Sequence, residues 1–310
     1  MGRLVYFARL ALAFLFLRAD LVHVLAGEGD GLAVFAAIFF PGPPVVVSVP
    51  DLRHRPAGFF ARLRRRIFYR LLARRGAKVR FLARHKGDAE ILSALAPSRV
   101  PAVVVRRPAV DAERFRPSQL ERVLLDENPM KVHFGLKLRR DSGLEDLRQA
   151  ALILRAKKVR VDVMVSGAPR DDDPEFYSLR ELKAWQAEGW MRLVGAVDAI
   201  DGLLRSADVV IAPSRRPGLS RFLVEAAASG KAIVATDQPG TRELILPGKN
   251  GLLYPAGDTS ALARALEKLA LDEDLRSALG LAARYVAESM FAESIAAGKT
   301  REVYDSLSQA

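Results

Sequence analysis

The sequence predicts an α/β protein built from two parallel-sheet domains. Three observations predict it. Between residues 131 and 290, apolar β-type runs alternate strictly with helix-periodic segments. Such alternation gives a parallel sheet with helices on both faces. Residues 207–257 set two short apolar runs, 209–212 and 232–235, on either side of a glycine-containing loop and a helix. A loop at the carboxyl end of a parallel strand, feeding a helix N-terminus, is where open α/β sheets hold phosphorylated ligands. Residues 106–118 lose apolar periodicity and carry Pro108 and Pro117, which marks a boundary.

Composition narrows the class. Half of the 310 residues are hydrophobic and 27% are charged, which is globular and long enough for two domains. The chain has no cysteine, so disulfides and thiolate metal sites are excluded. His23, His54, His85 and His133 show no metal-ligand spacing, and no metal is expected. The net charge of +12 is unevenly placed: residues 1–112 carry 19 Lys and Arg against 7 Asp and Glu, while residues 113–310 carry 29 of each. A basic, apolar first third suits an anionic membrane surface or a phosphorylated lipid, and equally an arginine-rich composition on a solvated face. No recognition helix, zinc motif or aromatic platform accompanies the charge, so nucleic acid is not expected as a partner. Residues 10–17 are too short to span a bilayer, residues 31–50 are broken by Pro41, Pro43 and Pro44, and no cleavable leader is read, because Arg18 and Asp20 follow the apolar run.

Taken in order, residues 3–18 read as a helix, 20–26 as a strand, 32–40 as a buried helix and 45–49 as a β-branched strand covered on both faces. Residues 59–75 read as a basic amphipathic helix, with Leu63, Ile67 and Leu71 on an apolar stripe expected to pack on the sheet. Strands follow at 78–83 and 102–105. After the boundary, strands are expected at 131–135, 159–165, 191–194, 208–212, 232–235 and 251–254. Helices are expected at 144–157, 178–188, 199–206, 220–229, 241–245, 260–271, 274–289 and 292–307.

Several motifs carry a resemblance. Residues 110–118 (VDAERFRPS), 134–143 (FGLKLRRDSG), 222–230 (FLVEAAASG), 237–243 (DQPGTRE) and 248–251 (GKNG) together resemble retaining GT-B glycosyltransferases of the GT4 family. The resemblance implies two Rossmann-like domains facing across a cleft, with bounds of 1–112 for a reduced acceptor-side domain and 113–290 for a donor-binding domain. Residues 291–310 would be a helix crossing back to the first domain. It also implies a donor site. Glu225 matches the family's second glutamate, which accepts hydrogen bonds from ribose hydroxyls. Lys137, in the loop opened by Gly135, matches a cation of the diphosphate clamp. Gly218, Leu219, Ser220 and Arg221 form the loop and helix start that would hold a phosphate through backbone amides. Gly195 lies in a strand-end loop used around the nucleobase. His54 stands in for a histidine that approaches the donor sugar.

The chain also departs from the family pattern. Pro217 occupies the place of the first glutamate, Ser142 that of a second basic residue, and Pro50 and Asp51 that of a His-Gly pair; a first strand with a Gly-rich loop is not found. Arg139 and Arg140 read as solvated loop residues rather than substitutes for the missing cation. The expected function is transfer of a hexose-type sugar from a nucleotide sugar, a UDP-sugar, to a lipid-linked or glycan acceptor, without metal or other cofactor. The expected location is the cytoplasm, peripheral on the inner membrane face. The alternative from another class is a non-catalytic glycosyltransferase-like binding or scaffold protein, motivated by these departures.

Overall fold

The computed structural model describes residues 19–25, 43–49, 52, 63, 66–67, 69–71, 73, 78–95, 102–117, 129–135, 137–216 and 218–308. The expected helices at 3–18 and 32–40 lie outside them, as do His54, Pro50, Asp51 and Pro217. The chain divides into two compact units, one of residues 1–107 with 294–310 and one of residues 108–293.

In the first unit, β1 (Val22–Leu25), β2 (Val45–Ser48), β3 (Val79–Ala83) and β4 (Ala102–Val104) form a parallel sheet in that order. Val45, Val46 and Val47 are buried, as a continuous β-branched run covered on both faces should be. Between β3 and β4 lies α1 (Lys86–Leu95), which the pattern reading did not anticipate. Its start escapes the usual cap signal of Ser, Thr, Asp or Asn. His85 caps it instead, its Nδ1 accepting from Asp88 N at 3.0 Å, and the Asp88 carboxylate accepts from Leu52 N at 2.8 Å.

The basic helix corrects one expectation. Tyr69 and Ala73 turn into the core, Tyr69 edge-on to Phe81, while Leu63 and Ile67 are 41% and 49% exposed. At about 100° per residue, positions 63 and 67 lie roughly 120° around the helix from 69 and 73. The aromatic at 69 takes the core side, and the expected stripe faces outward. The C-terminal helix α8, numbered as last of the helices in the chain (Glu293–Ser308), belongs to this unit beyond residue 293, and Tyr304 OH lies 2.6 Å from His23 Nδ1.

The second unit alternates as expected: β5 (Met130–Phe134), α2 (Leu144–Ala156), β6 (Val161–Ser166), α3 (Leu179–Ala187), β7 (Arg192–Gly195), α4 (Ile200–Ser206), β8 (Val209–Ala212), α5 (Arg221–Ala228), β9 (Ala232–Thr236), β10 (Leu252–Tyr254), α6 (Thr259–Leu271) and α7 (Glu273–Met290). All six strands are parallel in the order β10-β9-β8-β5-β6-β7. Counted within the unit, this is the doubly wound order, and the strand order reverses between β5 and β8. Side chains alternate between two cores. Val209, Ile211, Ala232 and Val234 join one face with Leu147 and Leu266, while Val210, Ala212, Ile233 and Ala235 join the other with Phe222 and Ala283. The segment expected as a helix at 241–245 is only a 3-10 turn, Thr241–Glu243, and a second 3-10 turn, Arg140–Ser142, follows β5.

One cap in this unit is testable. Ser178 Oγ accepts from Glu181 N, and the Glu181 carboxylate accepts from Ser178 N at 2.8 Å and from Arg140 Nη2 at 2.9 Å. The bonds from Ser178, then that from Arg140, hold the Glu181 carboxyl at about 2, below its ordinary 4.5. The stabilisation is therefore present above pH 4.5 and is lost as pH falls toward 2. Ser178→Ala should lower stability by about 1 kcal/mol in urea denaturation at pH 7. The gap between wild type and Glu181→Gln should close between pH 4.5 and 2.

Candidate functional site

A cavity of about 290 Å³ opens at the carboxyl ends of β5, β8 and β9, where the strand order reverses. Loops leaving β5 and β8 there run to opposite faces of the sheet, which opens a crevice. The first loop is pinned from inside. Ser142 Oγ donates to Arg139 O at 2.6 Å and closes the 3-10 turn. Gly143 sits at φ 78°, and a Cβ there would strike the Pro213 carbonyl, so only glycine lets the two loops meet. Arg215 N donates to Asp141 O at 3.1 Å across the same contact.

The second loop rests on the third. Ser214 O accepts from Thr236 Oγ1 and from Gln238 Nε2, both at 2.7 Å. Gly240 lies so close behind Gly218 that a Cβ on it would strike the Gly218 backbone. Ser220 then caps α5, its Oγ accepting from Leu223 N at 3.3 Å.

Of the residues singled out in the sequence, Lys137, Arg139, Ser142, Gly218, Leu219 and Ser220 line the cavity. Gly135 lies beside it, where a Cβ would run into the Phe222 ring. Arg221 and Glu225 are on α5, and Gly195 ends β7, two strands away from β5. The pattern reading missed Asp141, Ser214, Arg216, Thr236 and Thr241, which also line the cavity. Thr241 sat in a motif read as turn punctuation, and Arg216 in a run whose sequence neighbours gave no periodic signal.

The charges divide into committed and free. Arg139 bonds Glu175 at 2.7 Å and Asp141 at 3.1 Å, and Arg140 bonds Glu181, so neither is spare. Arg215 forks onto the buried Asp146 at 2.7 and 3.3 Å. Among the described residues, no carboxylate pairs with Lys137. The Glu225 carboxyl is half-buried and has no side-chain hydrogen bond among the described residues. Desolvation pushes its pKa up, against the opposing pull of Arg221 and Arg114. His133, edge-on to Phe222 and 2.9 Å from Ser166 Oγ, is held down at about 4 by burial and is neutral at pH 7. Among the described residues, no cluster of three or more His, Cys, Asp or Glu could hold a metal, and no helix is long and apolar enough to cross a membrane.

Residues 131–272 match the family described as Glycosyl transferases group 1. The second unit is a group 1 glycosyltransferase domain. Its matched span contains every residue lining the cavity. The putative glycosyltransferase EpsD of Bacillus subtilis is 29% identical over 202 residues, covering 63% of this chain and 52% of that protein. A Campylobacter jejuni protein named N,N'-diacetylbacillosaminyl-diphospho-undecaprenol alpha-1,3-N-acetylgalactosaminyltransferase is 26% identical over 235 residues, covering 73% of this chain and 60% of that one. The chain thus spans between about half and three-fifths of the length of these relatives. The solved structure of Anabaena Alr3699/HepE in complex with UDP superposes with a TM-score of 0.77 at 19% identity, covering all of this chain and 84% of that one. The fold is GT-B.

In this glycosyltransferase domain the Arg215–Asp146 pair is asymmetric, since Arg215 is 57% exposed and Asp146 only 6%. Arg215→Ala strands a buried carboxylate and should lower stability by about 3 kcal/mol. Asp146→Asn leaves an arginine that reaches water and should lower it by only about 1 kcal/mol. Equal losses in chemical denaturation would contradict the burial argument.

Proposed function

We propose that this protein is a glycosyltransferase that moves a hexose-type sugar from a nucleotide sugar, a UDP-sugar, to a lipid-linked or glycan acceptor, with retention at the anomeric carbon. The observation that carries the donor half is the pairing of an uncommitted Lys137 in the switch-point cavity with an unbonded, desolvated Glu225 carboxylate on the helix that follows it. In the reaction the bond from the anomeric carbon to the diphosphate breaks, a bond to the acceptor oxygen forms, and the acceptor's hydroxyl proton leaves with the departing diphosphate. Negative charge builds on the departing diphosphate. Lys137 and the backbone amides at Gly218, Leu219 and Ser220, at the positive end of α5, meet that charge. Glu225 accepts from the ribose hydroxyls. Side chains and helix amides carry the leaving-group charge, so the proposal requires no metal. The UDP in the Anabaena structure supports the choice of donor, and the diphospho-undecaprenol in the Campylobacter name supports a lipid-linked acceptor.

Calorimetric titration tests the donor site. Wild type should bind UDP and UDP-sugars. Glu225→Ala should weaken UDP and uridine alike by about tenfold or more, while Lys137→Ala should weaken UDP and spare uridine. Ribose binding needs the Glu225 carboxylate ionised, and its pKa is raised, so affinity should fall as pH drops through a value above 4.5. Equal binding by wild type and Glu225→Ala would defeat the assignment. Binding with neither hydrolysis nor transfer would contradict the transfer half of the proposal.

We place the protein on the cytoplasmic side, peripheral at the inner membrane face. The exposed Leu63 and Ile67 share their helix with exposed Arg66 and Arg70, an arrangement that sinks apolar groups between anionic headgroups. Sedimentation with liposomes should show association that needs anionic lipid and weakens with salt. Leu63→Glu combined with Ile67→Glu should abolish it. Binding to neutral phosphatidylcholine alone would contradict the charge argument.

A further inference from the structure

Arg215 and Arg216 are neighbours with opposite fates. The Arg215 guanidinium turns away from the cavity onto the buried Asp146. Arg216 lines the cavity together with Lys137. Its backbone is fixed, the amide donating to Ser214 Oγ at 3.1 Å. Its side chain is loose, being 57% exposed, and its ion pair is a long one, Nε to Asp141 Oδ2 at 3.7 Å. That distance exceeds a hydrogen bond. Asp141 meanwhile has a better partner in Arg139, at 3.1 Å.

From this arrangement we infer that Arg216 is the second cation of the diphosphate site, leaving Asp141 to engage the leaving group opposite Lys137. The inference rests on the donor reading above and adds a residue to it. The position that Ser142 occupies does not supply the charge, because its hydroxyl is buried and turned onto Arg139 O. Arg139 and Arg140 do not supply it either, since each is engaged by a glutamate outside the cavity lining. Arg216 therefore restores from the loop after β8 what the loop after β5 lacks. A planar guanidinium can fork onto two phosphate oxygens, which an ammonium cannot do. Asp141 keeps the arginine near the cavity when no anion is bound and weakens anion binding by competing for it.

The test compares UDP, GDP, ADP, dTDP and uridine by calorimetric titration on the full chain. Arg216 is exposed, so its replacement should leave the fold intact. Arg216→Gln should weaken UDP by about tenfold and leave uridine unchanged. Arg216→Lys should recover part of the loss. Asp141→Asn should act in the opposite direction and tighten UDP about threefold, again without effect on uridine. If Lys137→Ala loses UDP affinity but Arg216→Gln does not, the donor site stands and this assignment falls. If Arg216→Gln weakens uridine as much as UDP, the residue shapes the loop rather than meeting charge, and the assignment also falls. If wild type binds none of the four nucleoside diphosphates, the donor reading itself fails and this inference with it.

Discussion

The close approach of two loops at the reversal point of the second sheet governs the rest of the site. Gly143 brings the end of the β5 loop against the Pro213 carbonyl, and the Arg215 amide ties the loops together through Asp141 O. Any side chain at 143 would hold them apart. The contact sets where the cavity floor lies and fixes the direction of the chain into Arg215 and Arg216. One arginine then falls toward the interior and the next toward the opening. Behind this contact, the Gly218–Gly240 approach and the paired bonds on Ser214 O carry the same support to the third loop. Three strands thus hold three loops in one fixed arrangement, as a site preorganised for charge stabilisation requires.

The electrostatic arrangement follows from that geometry. The domain is rich in arginine near the cavity, yet most of those charges are neutralised by carboxylates brought in from other elements. Glu175 and Glu181 come from the segment before α3 and its first turn, and Asp146 from α2. These pairs tie loop to scaffold. Among the described residues, Lys137 at the cavity and Arg221 on α5 have no such carboxylate partner. The half-buried Glu225 carboxyl has no side-chain hydrogen bond among the described residues, and desolvation raises its pKa.

Much of this was legible in the sequence. The alternation of strands and helices after residue 129 gave the sheet, and the glycine-bearing loop before Glu225 gave the location of the cavity. What stayed hidden depended on side-chain direction. Nothing in the run of residues 214–217 tells which of two adjacent arginines faces inward, because that depends on an acceptor 69 positions away. Helix α1 was missed because a histidine took a capping role usually left to smaller polar groups. On the basic helix the apolar residues were correctly seen but wrongly oriented. Leu63 and Ile67 form one apolar line, but Tyr69 and Ala73 offer a second about 120° around the helix, and that one packs into the core. The 3-10 turn at 140–142 has no periodic signature at all, being only three residues long.

The strand order has a consequence for how the protein is made. The central pair β5–β8 joins segments 77 positions apart, as the Lys131–Asp208 bond shows, whereas β5, β6 and β7 are neighbours in both chain and sheet. During synthesis the β5–β7 half can associate first, but it contains only one wall of the cavity. The other wall arrives with β8, after loop closure over a long stretch, a step that slows folding. Until then β5 carries an open edge of buried-type residues, Met130, Val132 and Phe134 among them. Such an edge is a template for pairing with another chain. The same reversal of strand order that opens the crevice therefore leaves the unfinished domain prone to self-association, and the strand that covers the exposed edge is also the one that brings the second wall of the crevice.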